Sequence, residues 1–168
     1  MAPTVKSPSD SENVQLATFV VAGFLFGIDV LRVQEVLRFQ KMTRVPLAPP
    51  VIVGLINLRG QIVPAIDMRC RLHLAPRSNE ERPMNLVVRT EEAGVSLLVD
   101  EIGDVLELNS SCFESTPANV APHVREMIRG VYKLKNQLLF VLDTDKTVDI
   151  GLVAPVLKSS AQLSETHQ

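Results

Sequence analysis

Residues 54–69, Gly-Leu-Ile-Asn-Leu-Arg-Gly-Gln-Ile-Val-Pro-Ala-Ile-Asp-Met-Arg, constrain the fold more than any other part of the chain. Apolar residues on two arms flank a tight turn at Arg59-Gly60. This predicts a β-hairpin packed into a core, with Gly60 able to supply a positive φ. Arg59 sits at the turn, where a core explanation for a long cation is weak. Of the 168 residues, 46% are hydrophobic, which excludes wholesale disorder. With no Trp and a single Tyr, the core must be built mainly from Val, Leu and Ile, and the Val and Ile favour strands.

Residues 14–21 and 24–29 read as strands joined at Ala22-Gly23. Over 30–39, Val30, Val33 and Leu37 share one helical face and predict a short helix, although the β-branched residues leave a strand open. Pro46, Pro49 and Pro50 mark a loop before the hairpin. Pro64 in the second arm suggests an edge or a bulge, and Asp67 is placed to cap a helical turn running to Leu72. Residues 75–83 are polar, carry two prolines and are the expected join between two halves. Beyond them, 85–90 and 95–99 pair across a four-residue turn, and 101–108 continue as strand. A loop over 109–122 precedes a last hairpin, 128–134 with 138–142, and a terminal helical turn is expected within 143–150. Many short strands and little helix predict two small closed or nearly closed β-barrels, because closure removes exposed edges. The first is expected at about 14–80 and the second at about 81–150, with 1–13 a disordered leader and 151–168 a flexible tail.

Several function classes drop out. A net charge of −2 and a pI near 5.9 leave no electrostatic footprint for nucleic acid. Apolar runs fall far short of the ~20 residues that cross a bilayer, and 1–13 lack the apolar core of a signal peptide. A cytoplasmic location without membrane insertion is therefore expected. Cys70 and Cys112 match no metal or redox spacing and read as free thiols. His73, His123 and His167 are scattered, and neither a nucleophile elbow nor a phosphate loop is present. Hence no catalysis, cofactor or metal is expected. Asp100, Glu101 and Asp104 form the cluster that an enzyme or small-molecule binder would use. The other reading makes them exposed residues and turn caps around Gly103.

Charge is uneven along the chain. Between 30 and 71 the basic residues are Arg32, Arg38, Lys41, Arg44, Arg59, Arg69 and Arg71, against Glu35 and Asp67 alone. Residues 90–124 carry no Lys or Arg. Such a division suits head-to-tail contacts between partners; equally, the two sets can face each other or water within one molecule.

The hairpin sequence resembles the signature of the CheW family of chemotaxis adaptors. Four further segments carry the resemblance: 26–30 with 33–36, 43–46 with 49–53, Val99-Asp100-Glu101-Ile102-Gly103-Asp104-Val105, and 128–131 with 139–143 and Lys146. Together they cover about 14–150 in order. The resemblance implies a mainly β fold, two five-stranded SH3-like β-barrels packed side by side with short helices. It implies a non-enzymatic scaffold at receptor arrays on the inner face of the membrane. Its partners would be the regulatory domain of the histidine kinase CheA and the cytoplasmic tip of chemoreceptors. It places Val33, Glu35, Val36, Asn57, Arg59, Asp100 and Val105 on the receptor side, and Val45 and Gly54 on the kinase side. Read from the residues alone, Val33, Val36 and Val105 are also ordinary core positions, Glu35 plain surface, and Gly54 a local turn. Flagellar chemotaxis and other chemosensory pathways, such as twitching motility, share such adaptors.

Overall fold

The computed structural model describes residues 12–150. The expected tail, and the expected leader up to residue 11, lie outside the described residues; the first strand starts at Asn13. The first half holds β1 (Asn13–Val21), β2 (Phe24–Asp29), a 3-10 turn (Val30–Arg32), β3 (Val33–Leu37), β4 (Ile52–Leu58), β5 (Gln61–Asp67) and α1 (Met68–Arg71). The second holds β6 (Met84–Arg89), β7 (Gly94–Val99), β8 (Glu101–Asn109), a 3-10 turn (Ser110–Cys112), α2 (Pro122–Arg125), β9 (Ile128–Lys133), β10 (Leu138–Leu142) and α3 (Thr144–Val148).

The helix predicted over 30–39 is replaced by one 3-10 turn, whose Leu31 amide donates to Asp29, and by β3. The long-range ladder decides this: Val33 lies opposite Val88 and Val36 opposite Leu86 on β6. Stiff β-branched side chains fit that pleated surface better than a weakly patterned helix. The helical turns after β5 and β10 form as predicted, each started by an aspartate, Asp67 or Asp143, that accepts from a backbone amide of the turn.

Two five-stranded sheets result, in the orders β8-β1-β2-β10-β9 and β3-β6-β7-β5-β4. The division expected near residue 80 is therefore wrong. The chain leaves the first sheet after β2, builds all of the second from β3 to β7, and returns at β8. Residues 75–83 connect α1 and β6 on the same sheet. Their polar composition suits a surface connection, and composition does not record which sheet a loop serves. Pro64 likewise sits on an interior strand, not an edge. The parallel ladder of β5 with β7 begins at Ala65, just past the residue that lacks an amide donor. Neither ladder closes continuously. Each sheet instead curls until the segment after its edge strand bridges the far edge, Thr43 to Leu55 in one and Glu114 to Val131 in the other.

These paired bridges belong to an internal two-fold relation that the sequence hides. Ala65 of β5 pairs in parallel with Ser96 as Val141 of β10 pairs with Gly27. The Asp67 amide donates to Val51 as the Asp143 amide donates to Met127. Following the ladders outward, Val36 faces Leu86 and Val105 faces Ala17, so these two valines occupy equivalent edge positions.

Three apolar cores follow from strands buried on both faces. Alternate residues of one strand enter different cores: on β10, Leu139 and Val141 pack inside the first barrel with Leu16, Leu25 and Tyr132, while Leu142 enters the seam between barrels. That seam holds Phe19, Phe26, Ile28, Ile66, Leu86, Val88, Leu97 and Met127, drawn from both sheets. A smaller core of Ile56, Val63 and Val87 fills the second barrel. Each fully buried aliphatic side chain contributes about 1.5–3 kcal/mol, so the seam fixes the two barrels as one body.

Candidate partner-binding surface

The β4–β5 hairpin turns in two residues, with Leu58 paired to Gln61 and positive φ at both Arg59 (52°) and Gly60 (88°). Such a turn twists with its strands and normally takes Asn, Asp or Gly at its first position. An arginine there costs about 1 kcal/mol of backbone strain. Asn57 offsets part of it, its side-chain oxygen accepting from the Gly60 amide at 2.9 Å. The strain buys display: the Arg59 side chain is 82% exposed and donates to Glu35 on β3 at 2.7 Å. Since β3 and β4 are opposite edges of one sheet, this ion pair spans the two edges where the barrel curls together.

Val36 on β3 and Val105 on β8 are 42% and 56% exposed, and Ile62 next to the hairpin tip is 42% exposed. Their core reading therefore fails. For Val33 it holds, because that side chain packs partly buried against the seam. Glu35 is mostly covered by its ion pair rather than plain surface. The structure thus brings Glu35, Val36, Asn57 and Arg59 to one side of the second barrel, with Val105 on the equivalent edge of the first.

Asp100 is held in a cluster of ion pairs. It is neither exposed nor a cap for a turn around Gly103. Its carboxylate accepts from Arg69 Nη2 at 2.7 Å, Arg77 Nη2 at 2.7 Å and the Ala22 amide at 2.7 Å. Burial alone would raise this carboxyl, but the hydrogen bonds from Arg69, Ala22 and Arg77 outweigh it and hold it down at about 2. Glu101 and Asp104 remain exposed, so the acidic trio does not converge, and no group of three metal-ligating side chains occurs among the described residues. A cleft of about 550 Å³ lies elsewhere, lined by Leu31, Phe113, Arg129 and Tyr132 among others.

Near the start of β4, three residues before Asn57, a Cβ on Gly54 would lie 2.7 Å from the Thr43 carbonyl. Gly54 serves that close backbone approach, not a turn. Val45 is half-buried, and its carbonyl accepts from Ala48 in a tight turn. Next to it Leu47 is fully exposed with φ of 64°. Sequence reasoning passed over this residue, although a lone leucine between two prolines was the available signal. The charge division is partly internal, through Arg69 and Asp100, and partly free. Arg38, Lys41 and Arg44 are exposed, and none of the three appears in a salt bridge among the described residues.

A rigid pair of SH3-like barrels that displays aliphatic side chains and a strained, solvent-facing guanidinium defines a scaffold for protein contacts. Comparison with known proteins specifies it further. A family model described as CheW-like domain matches residues 15–150. A chemotaxis protein CheW of Bacillus subtilis is 33% identical over 135 residues, 80% of this chain and 86% of that one. The CheW of Klebsiella aerogenes is 29% identical across 95% of this chain and 98% of its own. The crystal structure of the scaffolding protein TtCheW from Thermoanaerobacter tengcongensis superposes with a TM-score of 0.70 at 25% identity, covering 78% of this chain and 89% of that one. The chain belongs to the CheW family, the adaptors of chemotaxis signalling.

Proposed function

We propose that this chain joins the cytoplasmic tip of chemoreceptors to the regulatory domain of CheA without catalysing a reaction itself, working in the cytoplasm at receptor arrays. The observation that carries the reading is Arg59, held exposed at a cost in backbone strain. Strain of this kind marks positions kept for function rather than folding. An amphipathic receptor helix presents apolar anchors at i, i+3, i+4 and i+7. Val36 and Val105, with Ile62 nearby, offer small aliphatic partners, and Arg59 supplies a planar donor fork for helix carboxylates or carbonyls. The kinase takes the other end of β4, around Gly54 and the loop at Val45, with Leu47 as an added apolar contact.

The test is to titrate a helical receptor-tip fragment and, separately, the CheA regulatory domain into the purified protein. Arg59→Ala weakens the first and spares the second, while Leu47→Asp does the reverse. Equal loss of both by either variant, or of neither, refutes the division of surfaces.

A further inference from the structure

The chain crosses between its sheets twice, from β2 to β3 through Val30–Arg32 and from β7 to β8 at Asp100. Each crossing is held by an ion pair to the second residue of a helical turn. Asp100 is gripped by Arg69 of α1, and Arg32 by Asp145 of α3. α1 follows β5 and α3 follows β10, the strands made equivalent by the internal two-fold relation. The two ion pairs are therefore related devices with their charges exchanged, the first at 15% and 15% side-chain exposure and the second more open at 30% and 58%. In one, the helical turn supplies the cation; in the other, it supplies the anion.

Further bonds reinforce these ties across the seam. Asp100 also holds Arg77 from the loop before β6, at 2.7 Å, and the Ala22 amide in the β1–β2 turn, at 2.7 Å. The second sheet's loop and the first sheet's hairpin thus meet on one carboxylate. Arg71 of α1 donates from Nε to the Thr147 carbonyl of α3 at 2.8 Å. The strand leaving each crossing carries one of the equivalent exposed valines, Val36 on β3 and Val105 on β8.

We propose that Asp100 with Arg69 and Arg77, and Arg32 with Asp145, are a pair of positioning clamps that fix the two partner-contact strands relative to each other, so that Asp100 acts through Val105 and not by touching the receptor. The proposal rests on the receptor reading of Val36 and Val105. Ion pairs suit this role because they are directional at a point where the seam supplies only non-directional apolar contact.

The experiment measures spin-label distances between Gln34→Cys on β3 and Glu107→Cys on β8, with Cys70 and Cys112 changed to Ser. A control pair, Gln34→Cys and Ile62→Cys, lies within the second sheet. Asp100→Asn is expected to shift or broaden the cross-sheet distribution, leave the control unchanged, and weaken receptor-fragment binding by about three- to tenfold. Arg32→Asp is expected to do likewise, and adding Asp145→Arg to restore both readouts, which a loss of direct contact would not allow. The restoring pair carries the test if Asp100→Asn does not fold. An unchanged distribution in a folded Asp100→Asn, failure of the exchanged pair to recover, or a shifted distribution with parental binding overturns the proposal. If the parent binds no receptor fragment, the receptor reading fails, while the distances still decide whether the clamps hold the strands.

Discussion

Replacing Asp100 by Asn probes the interaction on which both sheets converge. Its carboxyl titrates at about 2 in the folded protein against an ordinary value of 3.8. That difference corresponds to about 2 kcal/mol favouring the folded state when the group is charged. Asn keeps the shape and one acceptor oxygen but removes the charge facing Arg69 and Arg77, whose side chains are only 15% and 10% exposed. Glu81 and Asp67, at 3.7 and 3.8 Å, remain as weaker partners. The expected loss at neutral pH is thus about 2–3 kcal/mol, below the range for a fully buried pair deprived of one member. For a chain of this size that lowers the melting temperature by about 5–10 °C.

The pH dependence separates charge from shape. Because the folded value lies below the unfolded one, the contribution is fully present above about pH 4. It declines between about pH 4 and 2 and is gone below about 2, where both states are protonated. Urea unfolding of parent and Asp100→Asn from pH 7 to 2.5 should give curves a constant distance apart down to about pH 4.5, converging below it. Curves that stay parallel to the lowest pH would show that the stabilisation does not come from the carboxylate charge, and the clamp argument would fall with it.

Other expectations follow from geometry. Arg59→Ala should change stability by less than about 1 kcal/mol, since its ion pair is solvent-facing, yet cost about 1–3 kcal/mol of receptor-fragment affinity; Arg59→Lys should recover only part, for want of a planar fork, with melting temperature and affinity read on the same samples. Gly54→Ala drives a methyl into the Thr43 carbonyl and should destabilise by about 1–3 kcal/mol in urea, whereas Val53→Ala, partly exposed on the same strand, should be nearly silent. Val36→Asp and Val105→Asp should leave the urea midpoint almost unmoved and reduce receptor-fragment binding, each placing a carboxylate against an apolar helix face.

The sequence was most legible where structure is local. The Arg59-Gly60 hairpin, the aspartates that start α1 and α3, the β6–β7 turn and the β9–β10 hairpin are all set by neighbours a few residues away. What escaped depends on contacts made across the chain. Val30 to Phe39 carried a weak helical period, and only the distant β6 ladder settles it as strand. The polar stretch 75–83 looked like a domain join because composition registers exposure but not topology. Asp100 sits in an acidic run that reads as solvated surface; its arginines are 23 and 31 residues away, a spacing with no signature. The two-fold relation is invisible for a similar reason, since the same ladder accepts Leu86 at one position and Ala17 at its equivalent.

The interleaved course of the chain also governs how it is made. The first sheet is β1 and β2 completed by β8, β9 and β10, so its opening hairpin waits for strands synthesised after the entire second sheet. Until β10 arrives, the edge of β2 away from β1 has no parallel neighbour and stays open. Contacts of such sequence separation slow folding and lengthen the time during which a nascent chain can associate wrongly. Cutting the chain between α1 and β6 would release no independent half, because each fragment would hold strands of both sheets or lack a sheet's centre. A chain truncated before β8 carries only two strands of the first sheet, β1 and β2.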